Sequence, residues 1–157
     1  MDSAPLSPPK RVSSVKYLGI VLDQFMDFSI HVDKLVRKAS SKLKFLYRNA
    51  RCMNQCVRKL LCQSLIFSSA EYCSPAWYFG LTKVFRESLN VLQRKCARFS
   101  LGLDSHAHVG NRELLALSWL PFPQRVSYFS MVHAFKIRNG LSPSYISDEF
   151  TRVTKVH

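Results

Sequence analysis

Acidic residues are scarce. Ten Asp and Glu stand against 23 Lys and Arg in 157 residues, a net charge of +13. Only Asp148 and Glu149 are adjacent, and they sit near the C-terminus, where caps or solvent account for them. Two-metal nucleotidyl transfer needs clustered carboxylates to hold its ions, so the chain lacks the groups for polymer chemistry by itself. Glycine is equally sparse, at five residues, and no Gly-rich phosphate loop or Gly-x-Ser-x-Gly elbow occurs. No clean apolar run is long enough to cross a membrane. The best candidate, Leu60 to Leu81, is interrupted by Gln63, Glu71 and Pro75. An apolar secretory segment is missing from the N-terminus, which instead carries Asp2, Pro5, Pro8 and Pro9. With five cysteines, an odd number, this implies free thiols in a reducing, intracellular compartment. Zinc is disfavoured, because Cys52 and Cys56 form the single close pair. Cys62, Cys73 and Cys96 read as small core residues, and His106 and His108 as parts of a surface loop.

What is present is a globular composition, 47% hydrophobic, with a strong basic excess. The excess points to polyanionic partners, nucleic acid or an anionic membrane surface. The densest apolar stretch runs from Leu60 to Tyr78. Apolar residues fall nearly all round a helix there, which predicts a central, buried helix. Pro75 should push Ser74 out of the α region and end that helix near Cys73. Trp77, Tyr78 and Phe79 would then plug the core just past its end.

The predicted architecture is mainly α, an irregular bundle of about five helices with one short N-terminal strand. Residues 1–14, rich in Pro and Ser, read as a disordered tail. Val15 to Asp23 reads as a strand, with Gly19 marking a bulge or a close backbone approach. Residues 15–28 thus form a strand and connector, 29–140 the helical domain and 141–157 a short tail. Ser29 is the expected N-cap of a helix to about Ala50, and Asn54 caps the central one. Thr82 caps a third helix to Leu101, with the apolar stripe Leu81, Phe85, Leu89, Leu92, Cys96, Phe99 and Leu103. A short helix follows from Arg112 to Leu117, then the connector Trp119 to Pro123. A last helix spans about Gln124 to Arg138 and stops at Asn139-Gly140.

The first helix divides sharply. Val32, Leu35, Val36, Ala39, Leu43, Leu46 and Ala50 form its apolar side. Lys34, Arg37, Lys38, Lys42, Lys44, Arg48 and Arg51 form the other, with Phe45 among them. No acid lies between Lys34 and Arg51, so no i,i+4 pairing is expected to neutralise this arc. The arc is either a solvated face or a polyanion contact, to which Arg94 and Arg98 of the third helix would add if the two helices pack side by side.

Several segments resemble, in order, blocks of non-LTR (LINE-type, jockey-like) retrotransposon reverse transcriptases. Lys16-Tyr17-Leu18-Gly19-Ile20-Val21-Leu22-Asp23, then Phe28-Ser29-Ile30-His31-Val32, then Lys38-Ala39, resemble the segment after the palm, which implies that Val15 to Asp23 is the last palm strand, by the primer grip. Glu71-Tyr72-Cys73-Ser74-Pro75-Ala76-Trp77 resembles a following "[DE]-Y-x-S-P-x-W" signature, and Leu92 to Arg98 an "x-Q-(N/R)-x-x-A-R" helix. Leu114 to Pro121 and Phe135 to Gly140 resemble the later "L-x-x-L-x-W-L-P" and "Y-K-I-x-x-G" blocks, with Phe135 in place of Tyr. The resemblance covers about Val15 to Tyr145. It marks Tyr17, Leu18, Gly19, Tyr72, Ser74, Pro75, Trp77 and Trp119 as structural motif residues. It implies a thumb and its extension, which cradle a template–primer duplex. The palm, with the aromatic-Ala-Asp-Asp motif that binds Mg²⁺, would lie before Met1, and the endonuclease is also missing. The implied product is a fragment that needs no cofactor and catalyses nothing alone.

Three functions compete. One is a thumb remnant that binds RNA–DNA or DNA duplex backbone without sequence preference and without contacting membranes. The second is a module that binds a protein, either a palm domain or a second copy. The third is a translated transposon relic without selected function.

Overall fold

A computed structural model describes residues 12–150. The described residues open with a hairpin, β1 (Ser14–Tyr17) antiparallel to β2 (Ile20–Asp23), with Val15 opposite Leu22 and Tyr17 opposite Ile20. This corrects the single strand expected over Val15 to Asp23. Leu18 and Gly19 have φ of 44° and 87°, the two positive values of a two-residue hairpin turn whose twist suits paired strands. Gly19 serves the turn and also the expected close approach. A Cβ there would meet the Tyr72 ring at 3.5 Å, and the Tyr72 hydroxyl donates to the Leu18 carbonyl at 3.1 Å. Tyr17 and Leu18 expose their side chains, so their part in the motif is a backbone part. Of the tail expected over 1–14, residues 1–11 lie outside the described residues, and Ser14 is already in β1.

Asp23 turns the chain into the first helix. Its carboxylate accepts from the backbone N–H groups of Phe25, Asp27 and Phe28. Helix α1 spans Ser29–Arg48. Ser29 is its first residue rather than its N-cap. Phe28 takes the cap position in the left-handed region, and Asp27 accepts the Ser29 N–H at 2.8 Å.

The central helix departs most from expectation. Asn54 caps it as expected, accepting from Val57 N–H at 2.9 Å. It runs as α2 (Gln55–Cys62), widens into a π turn over Gln63–Phe67, and ends as α3 (Ser68–Glu71). Ser64 and Ser68 return their hydroxyls to the carbonyls of Leu60 and Ser64, a habit that loosens helices. The wider turn lets consecutive Ile66 and Phe67 both face inward beside Cys62 and Ala70, all buried. The helix is therefore one-sided, with Leu60 62% exposed, and not buried all round. Cys73 takes a left-handed conformation, φ 50°, and α4 (Ser74–Trp77) restarts at once. Ser74 is thus helical, because Pro75 lies in the first turn, where its missing N–H costs nothing.

Helix α5 (Lys83–Leu101) follows Thr82 as expected, α6 is Asn111–Ala116 and α7 is Phe122–Arg138. The last begins two residues before the expected Gln124, with Pro121 as its cap. It closes at Gly140, φ 67°, where Leu141 N–H reaches back to the Lys136 carbonyl. A short α8 (Ser144–Ser147) occupies part of the expected tail. Five of these helices have six or more residues, in a mainly helical fold.

The core has two clusters, and both are shared by α1 and α5. Phe28 and Val32 meet Trp77, Leu81, Leu89 and the start of α7 in one. Leu43 and Leu46 meet Cys62, Ile66, Cys96, Phe99 and Trp119 in the other. Helices α1 and α5 accordingly run side by side in the same direction, with the α2–α3 rod returning between the clusters.

His31 sits where hairpin, α1 and α4 meet. Its Nδ1 accepts from Val21 N–H at 3.4 Å, and its ring meets Trp77 edge to face, centroids 5.4 Å apart. Burial pushes its pKa below the ordinary 6.5. The unfolded chain takes up a proton there that the folded chain resists, so stability present above pH 6.5 should be lost as pH falls below it. Thermal melts at pH 7.5 and 5.5 test this. The parent should lose more than His31→Gln on acidification, and equal losses would exonerate His31.

Candidate nucleic-acid interface

The basic arc of α1 is not one surface. Its edges meet different neighbours, and its middle stays in solvent. On one edge, Lys34, Lys38 and Lys42 line a groove of about 530 Å³ between α1 and the hairpin. Lys16 of β1 faces them across it, and Val15, Val21, Leu35 and Ala39 supply apolar surface. Among the described residues, no carboxylate lines this groove. Lys16 has no signal in the sequence pattern, because only the hairpin fold brings β1 over α1.

Lys42 has a second task. Its Nζ donates to the Leu65 carbonyl at 2.6 Å, inside the π turn. It therefore braces the central helix as well as charging the groove. Lys16, Lys34 and Lys38 make no ion pair and no side-chain hydrogen bond among the described residues, which leaves their charge for a ligand.

The other edge of the arc meets α5. Lys44, Lys95 and Arg98 line a smaller cleft of about 230 Å³, with Tyr47 and Ser105. The expected meeting of α1 with Arg98 is thus present, and Lys95 joins it. Arg98 also donates from Nε to the Ala107 carbonyl at 2.7 Å, holding the loop before α6. Arg94 lines neither cleft and pairs with Glu87 along α5. The expectation of an unpaired arc also fails at Arg37, which bridges Asp33 one turn back at 3.0 Å. Both pairs are exposed or nearly so, and such pairs contribute little. They do lower the positive potential there. Between the edges, Arg48 and Phe45 project into solvent, Phe45 62% exposed, with Arg51 beyond them on a 3₁₀ turn over Ala50–Cys52.

The motif residues are architectural. Trp77 is fully buried, and its Nε1–H donates to the Tyr72 carbonyl at 3.0 Å. Ser74 and Trp119 are equally enclosed. Glu71 meets Arg125 of α7 at 2.6 Å in a half-buried pair, and the Arg125 guanidinium lies over the Phe67 ring. Burial raises the Glu71 pKa, and Arg125 opposes that rise. The segment from Glu71 to Trp77 therefore ties together the hairpin, through Tyr72, the core, through Trp77, and α7, through Glu71.

Among the described residues, no group of three or more His, Cys, Asp or Glu side chains converges as a metal site, and no helix is long and apolar enough to cross a membrane. No family model matches the sequence, and no solved structure matches it. Over 137 residues, 85% of this chain, the sequence is 26% identical to the "Retrovirus-related Pol polyprotein from type-1 retrotransposable element R1 2" of Nasonia vitripennis. The match covers 33% of that polyprotein, so the chain spans about a third of its relative's length. The chain is a distant relative of an R1 non-LTR retrotransposon Pol polyprotein.

Proposed function

We propose that this chain is the thumb region of a retrotransposon reverse transcriptase, binding template–primer duplex through its phosphates and catalysing nothing alone. The observation that carries the reading is the groove between β1 and α1. Lys16, Lys34, Lys38 and Lys42 surround it, and among the described residues no carboxylate does. Phosphate backbones reward that arrangement, because each neutralised phosphate releases a condensed counterion. A duplex-holding element that must slide needs charge and shape rather than base readout. Relation to a Pol polyprotein supports the assignment. So does the hairpin, whose Val15, Tyr17 and Leu18 stay exposed, as they would if the strands belonged to a larger sheet.

Fluorescence anisotropy with an RNA–DNA hybrid and a DNA duplex, at several salt concentrations, tests the binding. About five neutralised phosphates give a log–log salt slope near −4 to −5 for duplex DNA. Both duplexes should bind comparably, without sequence preference. Lys16→Gln, Lys34→Gln and Lys38→Gln together should weaken binding to each and flatten the slope by about 2.7, at roughly 0.9 per phosphate. Lys42 is left in place because it braces Leu65. Coincident curves for parent and triple variant would remove the groove from the interface. Separately, the chain should not extend a primer on an RNA template with deoxynucleotides and Mg²⁺ or Mn²⁺. Extension above a mock preparation would contradict the non-catalytic reading.

A further inference from the structure

Helix α7 carries two apolar faces, and the fold uses one. Phe122 and Val126, at the start of the helix, enter the core. At 100° per residue, Tyr128, Met131 and Phe135 fall in an arc of about 60° on the opposite side. They are 56%, 70% and 62% exposed. Their spacing of three and then four residues is the seam by which one helix accepts another along its length. Scattered exposed apolar residues are ordinary, but three large ones in one stripe are a contact surface.

We propose that this stripe docks an acidic amphipathic helix of another protein segment. Charge selects the occupant. Helix α7 contains no Asp or Glu, and exposed Arg138 flanks the stripe, about 20° round from Met131 at 100° per residue, with Lys136 further round; exposed His133 lies on the other side of the helix. The one cation of its first half, Arg125, is already paired with Glu71. A second copy is a poor occupant. Parallel pairing of α7 with α7 would place Arg138 against Arg138, antiparallel pairing would offer no carboxylate to either, and each chain carries +13. A nucleic-acid duplex, its bases stacked on one another, would leave the three apolar side chains without a fitting partner. A helix with apolar residues at the same spacing and Glu or Asp beside them satisfies both features. The stripe lies apart from the groove over α1, and the proposal does not depend on duplex binding.

The probe is a fluorescein-labelled 21-residue synthetic helix with Leu at its seam positions and Glu on both flanks, titrated with the full chain. A matched peptide carries Lys on the flanks instead. The Glu peptide should bind and weaken with added salt, and the Lys peptide should not bind. Met131→Ser with Phe135→Ser should reduce binding of the Glu peptide by about thirtyfold, as for truncated interface anchors. It should leave both the melting temperature and the groove's duplex affinity unchanged, since neither side chain enters the core. Equal binding of both peptides, or unaltered binding by the double variant, overturns the proposal. Sedimentation equilibrium showing a dimer that the double variant abolishes would assign the stripe to a second copy and overturn it likewise. Cosedimentation with vesicles of anionic phospholipid that the double variant abolishes would assign it to a membrane and also overturn the proposal.

Discussion

Trp77→Ala should cost about 3–5 kcal/mol, the usual range for truncating a buried Trp, and lower the melting temperature by roughly 10 °C. The indole is fully enclosed between the hairpin side of the fold and α5, and it touches His31, Tyr78 and the Tyr72 carbonyl. Removing it leaves a void and also strands the carbonyl of a residue at a sharp bend. The bend matters because Tyr72 ends α3 and Cys73 adopts a left-handed conformation before α4 begins. Trp77→Phe separates the two contributions. It keeps most of the volume but loses the N–H, so it should cost about 1 kcal/mol more than its small cavity alone. A Trp77→Ala variant melting within about two degrees of the parent would show that the corner repacks freely.

Much of the fold is legible in the sequence because helices announce themselves twice, by periodicity and by their ends. The apolar stripe from Leu81 to Phe99 is buried or half-buried throughout, and Thr82 and Gly102 bound α5. Asn54 and Gly140 likewise sit where their chemistry places them. The departures have a different origin. One-dimensional spacing assumes 3.6 residues per turn, and the π turn at Gln63–Phe67 breaks that count, so spacing alone confuses its exposed and buried sides. The hairpin is obscured for a related reason. Leu18 occupies a left-handed position that Asn or Asp would have advertised, so the turn is hidden inside an apparent strand.

The candidate site is half legible. A helical wheel places Lys34, Lys38 and Lys42 on one side of α1, but which side chains face solvent, a groove or a carboxylate is decided by tertiary neighbours. Arg37 and Arg94 pair with Asp33 and Glu87, and Lys16 and Lys95 join the clefts from other elements. The resemblance cannot repair this, because much of what its motifs record is core. Trp77, Gln93, Ala97, Leu114, Leu117 and Trp119 are all buried. A surface that holds phosphates needs positive charge in roughly the right place and no particular residue at any one position.

Gln93 shows how far such a motif can be architectural, and its replacement gives the other large expected effect. Helix α7 has an awkward start. Its N-cap is Pro121, which has no side-chain acceptor, and Pro123 follows in the first turn. The N–H of Phe122 is one of the orphan donors at a helix start, and it is buried. Gln93, buried in the middle of α5, supplies the missing cap from another helix. Its Oε1 accepts from Phe122 N–H at 2.9 Å, while its Nε2 donates to the Leu120 carbonyl at 2.8 Å. One amide thus satisfies both sides of the connector and fixes α7 against α5. Gln93→Leu keeps a similar volume and removes both bonds. Leaving a buried polar group unsatisfied costs about 1–3 kcal/mol, so two should cost about 2–6 kcal/mol. Gln93→Glu should be no milder. It retains an acceptor for Phe122 but turns an oxygen towards the Leu120 carbonyl and buries a charge without a partner. Thermal melting measures the loss, and amide hydrogen exchange locates it. The Phe122 amide should exchange much faster in Gln93→Leu, while amides in the middle of α1 slow or quicken only with global stability. If Phe122 stays protected and the melt shifts by less than about 2 °C, the connector is held by the packing of Trp119 and Phe122 alone, and Gln93 is incidental to it.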